Sequence, residues 1–272
     1  MANPASDQVQ LVPGPLQIAV PLAFTACWAW AMWRMPAFLM VFSEPGATVD
    51  ALARRYASVG VLDWLALAGV FVFAVLGVMT VRRAPMEWED LGIFDRIAVF
   101  IGRVTMLLIA VLVCVMVYEV VLRYVFEKPT LWANELSLWM AGFIFILSGL
   151  YAMQQRSHIR IFLLYDMLPR GLQRTCDVIS TIVVVTFAFF LFWGGYGEAA
   201  AKFARWETFG TAFDPPIPAT LKPMVLIIVS LVAFQAIANL IRDWNKEPVI
   251  HTAADDIDPE DIERLRRQVG GE

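Results

Sequence analysis

The residues best suited to chemistry lie at the ends of long apolar segments. Glu119 and Arg123 close one such segment and stand four residues apart, so a helix places both on one face. A charge close to lipid is costly, and an ion pair lowers that cost. The spacing therefore predicts a Glu119–Arg123 pair at a membrane surface. The alternative is that Arg123 simply extends its long side chain to the water interface.

The next apolar segment begins with an acid and carries two glycines. Glu135 shares a helix face with Gly142 and Gly149, and Trp132 precedes it by three residues. Glycines on one face let another helix approach closely, either from this chain or from a partner. In the simpler interpretation, the helix dipole favours an acid at the start of the helix, and the glycines pack inside the chain.

The same segment exits through a basic stretch in which His158 stands between Arg156 and Arg160. The only other histidine is His251, so paired axial histidines for a membrane haem are not available. No cysteine belongs to a CxxC pair, so the sequence predicts no zinc site, no disulfide framework and no cofactor. The three cysteines lie in or beside apolar segments: Cys27, Cys114 and Cys176.

The elements that must position these residues are membrane helices. Of 272 residues, 59% are hydrophobic and 17% charged, against roughly 25% charged in soluble domains. Long apolar runs must be helical in lipid, and their length and lack of alternation exclude barrel strands. The sequence predicts an all-α, polytopic membrane protein with about six transmembrane helices. The six segments are Leu16–Trp33, Val59–Val81, Ile97–Val121, Leu131–Met153, Asp177–Tyr196 and Pro223–Ile241.

The first segment is the weakest of the six, since it is short and contains Pro21, and it either spans the membrane or lies in the interface. The first basic residue is Arg34, so the basic region that opens a signal peptide is missing, and we expect this segment to be retained. With six spans, an N-in/C-in orientation places 13 Lys and Arg inside and 8 outside. This bias favours both termini in the cytoplasm.

Three regions follow from this pattern. Residues 1–84 form an N-terminal extension with two predicted transmembrane helices, 85–245 a four-helix membrane domain, and 246–272 a cytoplasmic tail. The mixed stretch 84–103 is either an amphipathic arm on the cytoplasmic surface or a plain linker. In the tail, Asp258 and Pro259 predict the start of a short helix.

The order of these motifs resembles the small permease subunit of tripartite ATP-independent periplasmic (TRAP) transporters, the DctQ-type family. The resemblance covers about 95–244, and the Trp206–Pro218 loop with Gln235 is most like a larger branch of that family. Two departures stand out: residues 1–84 add two spans, and Asn134 stands where many relatives carry a second acid. The matching motifs are Arg123–Phe126, Trp132 with Glu135 and Leu136, Gly142 with Gly149, and His158–Arg160.

The resemblance implies a division of labour. A large permease subunit carries an organic acid or related small solute with sodium through an elevator motion, and a periplasmic binding protein delivers the solute. The small subunit of the bacterial inner membrane is then a fixed scaffold in contact with lipids, and it is not an enzyme. Its implied frame residues are Arg123, Trp132 and Glu135 at the outer end, and His158 and Arg160 at the inner end.

Two other functions stay open at this point. The chain could act alone as a secondary transporter or channel, or it could anchor a redox complex in the membrane. The lack of histidines at membrane depth speaks against the redox anchor. With a net charge of -4 and no dense basic tract, the sequence predicts no nucleic-acid partner.

Overall fold

The computed structural model describes residues 14–42, 59–84, 87, 92–156, 165 and 167–245. Within these ranges the regular elements are helices, without any strand. The six helices are α1 (Pro15–Phe42), α2 (Val61–Thr80), α3 (Ile93–Tyr124), α4 (Ala133–Gln154), α5 (Arg170–Ala204) and α6 (Ile217–Asp243).

All six helices are long and apolar enough to cross a membrane, which confirms the predicted fold class. α3, α5 and α6 are longer than their predicted apolar segments, because polar turns at their ends continue the helix. α3 and α5 reach 32 and 35 residues. α1 runs for 28 residues through both Pro21 and Pro36, so the first segment is not too short to span. Residues 93–103, whose role the sequence left open, form the first turns of α3.

The helices alternate in direction, which gives the molecule two ends. At the first, named the Asp95 end, Gln17 at the start of α1 donates from Nε2 to the Thr80 carbonyl at the end of α2, 2.7 Å away. Asp95 at the start of α3 pairs there with Arg242 near the end of α6. At the opposite Glu119 end, the end of α3 meets the start of α4.

Two packing units share α3. In one, α4 packs between α3 and α6, and α5 packs against α6. The central contact of this unit joins Ala98, Leu150 and Ile228, all buried. The other unit is the α1–α2 hairpin, whose Val20 packs on Phe100 and Val104 of α3. α3 thus connects the N-terminal hairpin to the four-helix part of the chain.

α1 also reaches across the molecule towards the Glu119 end. Its Met32 packs with Trp206, which follows α5, and with Ala219 of α6. Trp206 has a φ of 47°, and this left-handed turn ends α5 while the indole stays 4% exposed. The hairpin therefore contacts both ends of the remaining helices.

α5 exposes most of its surface, and the exposed side chains are large and apolar. Phe187, Phe190 and Trp193 are all more than 60% exposed. Exposure of this kind costs nothing against lipid tails, which are as apolar as the side chains themselves. This apolar surface indicates that α5 faces lipid at the edge of the bundle.

Candidate functional site: polar clusters at the two helix ends

Glu119 is the most completely enclosed acid of the Glu119 end, at 2% exposure. Its Oε1 accepts hydrogen bonds from Arg123 Nε at 3.1 Å and Nη2 at 2.5 Å. Its Oε2 accepts from the Thr130 backbone N at 3.0 Å and from Thr130 Oγ1 at 2.5 Å. The Arg123 side chain is still 41% exposed, so it pairs with Glu119 and also reaches the surface. Glu119 thereby closes the connection between α3 and α4.

Glu135, in the first turn of α4, holds the loop between α5 and α6. Its Oε2 accepts from Thr211 Oγ1 at 2.5 Å, from the Phe213 backbone N at 3.2 Å and from the Asp214 backbone N at 3.1 Å. Asp214 itself has a φ of 58°, and its Oδ1 accepts from the Gly210 backbone N at 2.7 Å. The sequence places Glu135 at a helix start, but it does not reveal this long-range contact.

The two tryptophans of α4 and its N-cap join that helix to both neighbours. The Trp132 ring lies 6.1 Å from the Tyr118 ring of α3, measured between centroids. Trp139 Nε1 donates to Thr220 Oγ1 of α6 at 2.8 Å. The start of α4 is therefore fixed between α3 and α6.

Gly142 and Gly149, predicted on one helix face, have different surroundings. A Cβ on Gly142 would overlap Leu221 Cδ1, so the Leu221 side chain of α6 packs directly onto this glycine. A Cβ on Gly149 would meet nothing within 4 Å, and this glycine is exposed. Gly142 packs inside the chain, whereas Gly149 leaves an open surface.

Asp95 leads a buried cluster that the sequence did not predict. Asp95 is fully buried, pairs with Arg242, and accepts from Gln235 Nε2 at 2.7 Å. Gln235 also donates to Asn239 Oδ1 at 2.9 Å, and Asn239 Nδ2 donates to the Met153 carbonyl at 2.8 Å. This Asp95 cluster joins α3, α4 and α6. The sequence feature that could have revealed this cluster is the spacing of Gln235, Asn239 and Arg242, which lie on one face of an otherwise apolar helix.

Glu87 adds a second buried contact at the same end. At 6% exposure, it accepts from Arg103 Nη2 at 2.8 Å and from Tyr151 Oη at 2.9 Å. A Cβ on Gly102 would lie only 2.5 Å from Tyr151 Cδ2, so the glycine permits this approach of α3 and α4. Glu87 therefore ties the α2–α3 connection to two helices. The predicted inner residues His158 and Arg160 lie outside the described residues.

The N-terminal hairpin has a polar contact of its own. Asp63, 4% exposed, accepts from Trp30 Nε1 and Arg34 Nε, each at 3.0 Å, and from the Gly60 backbone N at 2.9 Å. This carboxylate joins the start of α2 to the second half of α1.

A more exposed ion pair lies where α5 ends. Lys202 Nζ is 2.5 Å from Glu207 Oε1, and this hydrogen bond holds the pKa of Glu207 below its usual range. A lowered pKa in the folded protein stabilises it above the unfolded pKa, and this contribution is lost as pH falls through the folded value. Because Glu207 is over a third exposed, the contribution is small.

These clusters hold helices and loops together through hydrogen bonds and ion pairs, so their role is structural. No group of three or more metal-ligating side chains occurs in the part of the chain that the structure describes. Each buried carboxylate of these clusters already accepts hydrogen bonds from another segment of the chain. The arrangement fixes helix ends relative to one another.

The six helices and their polar ends define a multi-pass membrane protein. Residues 112–246 match the family model described as "Tripartite ATP-independent periplasmic transporters, DctQ component". No curated protein and no solved structure matches the chain. This segment, about half of the chain, belongs to the DctQ family, the small permease components of TRAP transporters. This family is a transporter component rather than an enzyme family.

The match confirms the predicted resemblance, over residues 112–246 against the predicted range of about 95–244. It begins at residue 112, in the middle of α3, and not near residue 95. α1, α2 and the first half of α3 therefore lie outside the matched segment.

Replacing Glu135 with Ala should release the α5–α6 loop, because three donors in that loop lose their acceptor. We expect faster amide hydrogen exchange at 211–214, by roughly fivefold to tenfold if each lost bond is worth about 1 kcal/mol. Hydrogen–deuterium exchange of the purified protein measures this rate. Glu198→Ala, which removes an exposed acid at the same end, is the matched control. Unchanged exchange at 213 and 214 in Glu135→Ala would contradict the contact.

Proposed function

We propose that this chain is the fixed scaffold on which the large TRAP permease subunit works. In this function the large subunit takes up an organic acid or related small solute together with sodium, while the small subunit stays still. The observation that carries the proposal is the set of paired polar groups at both helix ends. Glu119 and Glu135 fix one end, and the Asp95 cluster fixes the other.

The course of the helices supports a scaffold over a carrier. Transporters that bind solute usually do so at discontinuous helices near the middle of the membrane. α3, α4 and α6 run unbroken for 22 to 32 residues, and their buried polar clusters lie towards their ends. Continuous helices joined at both ends resist relative motion, as a scaffold requires.

Three regions of the chain follow from this proposal. The hairpin in 1–84 extends the scaffold, 85–245 is the DctQ-like membrane domain, and 246–272 is a cytoplasmic tail. The partners are the large permease subunit, the periplasmic binding protein in the assembled complex, and membrane lipids. The outer contact residues would be Arg123, Trp132 and Glu135, with His158 and Arg160 at the inner end.

The orientation is also part of the proposal. The excess of Lys and Arg in the inner loops favours the Asp95 end in the cytoplasm, which places the Glu119 end in the periplasm. A cysteine replacing Lys128 should react with a membrane-impermeant thiol reagent in intact cells, because Lys128 lies in the exposed α3–α4 turn. A cysteine replacing Asn245 should react only after lysis, with both variants made on a background lacking the three native cysteines. The reverse labelling pattern would contradict N-in/C-in.

The scaffold role predicts a defect in assembly when the α5–α6 loop is released. Glu135→Ala should lower both the amount of large subunit that co-purifies with this chain and the uptake by the complete complex, each by several-fold. Co-purification and solute uptake in proteoliposomes measure the two effects, with Glu198→Ala as the control.

Two results would count against the scaffold. Wild-type assembly and uptake in Glu135→Ala would remove the role given to Glu135. Sodium-driven uptake by the purified chain without a second subunit would favour a transporter that acts alone.

A further inference from the structure

Two buried side-chain atoms at the Asp95 end have no hydrogen-bond partner among the described residues: Gln154 Nε2 and Gln235 Oε1. Gln154 is fully buried, and Gln235 is 1% exposed. A buried amide group that gains no partner in exchange for water costs free energy comparable to a lost hydrogen bond. Both atoms are therefore expected to meet a partner that the described helices do not themselves provide.

Both amides face the same junction of α3, α4 and α6. One turn away, Leu150 of α4 packs with Ala98 of α3 and a buried isoleucine of α6. Gln154 follows Leu150 by four residues, so it lies on the same face of α4, one turn nearer the Asp95 end. Asp95 precedes Ala98 by about one turn of α3. Gln154 is therefore directed to the space between α3 and α6, where Asp95 accepts its hydrogen bond from Gln235.

Existing hydrogen bonds hold the two amides in the same layer of the molecule. Gln235 Nε2 donates to Asp95 Oδ1 at 2.7 Å and to Asn239 Oδ1 at 2.9 Å. Asn239 Nδ2 donates in turn to the carbonyl of Met153 at 2.8 Å. Met153 is the residue directly before Gln154, so these bonds connect Gln235 to the backbone beside Gln154.

The neighbours decide which atom of each amide stays unpartnered. Asp95 pairs with Arg242, and a carboxylate in an ion pair only accepts hydrogen bonds. It must therefore meet Nε2 of Gln235, which leaves Oε1 as an acceptor in need of a donor. Gln154 Oε1 already accepts from Gln155 Nε2 at 2.8 Å, which leaves Gln154 Nε2 as a donor in need of an acceptor.

We propose that the junction binds one ordered water molecule, which accepts a hydrogen bond from Gln154 Nε2 and donates one to Gln235 Oε1. Water meets both needs at once, and buried waters typically bind about three otherwise unsatisfied polar groups. A metal cation does not fit, because Arg242 repels it and Gln154 presents a donor instead of an oxygen. An anion does not fit either, because it would face the Asp95 carboxylate and the Gln235 oxygen.

The water gives the end of α4 a second connection to α6, beside the bond between Asn239 and the Met153 carbonyl. A bridging water is nearly as favourable in enthalpy as a direct hydrogen bond. This inference does not depend on the transport role. The bridge can be missing from a working scaffold, and a bridged junction can exist in a chain with another function.

A crystal or cryo-EM structure of the full chain, alone or with the large subunit, tests the proposal at a resolution that shows other buried waters. We expect a density peak within about 3.2 Å of both Gln154 Nε2 and Gln235 Oε1. Gln154→Met keeps the length of the side chain but removes the donor, so the peak should disappear. The matched control Gln155→Met removes the neighbouring amide and leaves both partners of the water, so the peak should remain.

Several results would overturn the proposal. One is a direct hydrogen bond between Gln154 Nε2 and Gln235 Oε1, and another is a junction without density in a map that shows other buried waters. A peak with oxygen neighbours at about 2.4 Å would show a bound cation instead. A peak that persists at full occupancy in Gln154→Met would show that Gln154 does not hold the water. If Gln154→Met does not fold, the wild-type and Gln155→Met structures still decide.

Discussion

A carboxylate enclosed in a membrane protein has no bulk water around it, so the protein must supply its hydrogen bonds. Asp63, Glu87, Asp95 and Glu119 are all 6% exposed or less. Each solves this problem in the same way, near the end of a helix and with donors from another segment. Removing one partner of such a buried pair usually costs roughly 3–5 kcal/mol, because the other charge stays behind unpaired. These four acids therefore keep their hydrogen bonds only while the helix ends hold their positions relative to one another.

This constraint accounts for what sequence reasoning could and could not predict. The six helices were predictable because length and hydropathy alone decide them in lipid. The Glu119–Arg123 pair was predictable because both partners lie one turn apart on the same helix. The contact of Glu135 with 211–214 and the contact of Asp95 with Arg242 join residues more than 70 positions apart. No local period encodes such pairs, so only the packing of α3, α4 and α6 shows them. The two glycines illustrate the same limit, since Gly142 and Gly149 share a face but only Gly142 meets a neighbour.

The N-terminal hairpin lies outside the segment that matches the DctQ family. The hairpin is closed by Asp63 and Arg34, packs through Val20 on α3, and reaches Trp206 through Met32. Its contacts therefore extend to the same α5–α6 loop that Glu135 holds from the other side. A hairpin seated in this way covers one side of the helices that carry the family match.

The central claim is that the polar clusters hold the small subunit rigid while the large subunit moves. The distance between spin labels at Lys128 and Phe209 reports directly on this rigidity, because these exposed residues lie in the α3–α4 turn and the α5–α6 loop. In the assembled complex, the account predicts the same distance distribution with sodium and solute as without them, while a label pair in the moving part of the large subunit shifts. A shift between Lys128 and Phe209 that follows the transport cycle would contradict the claim.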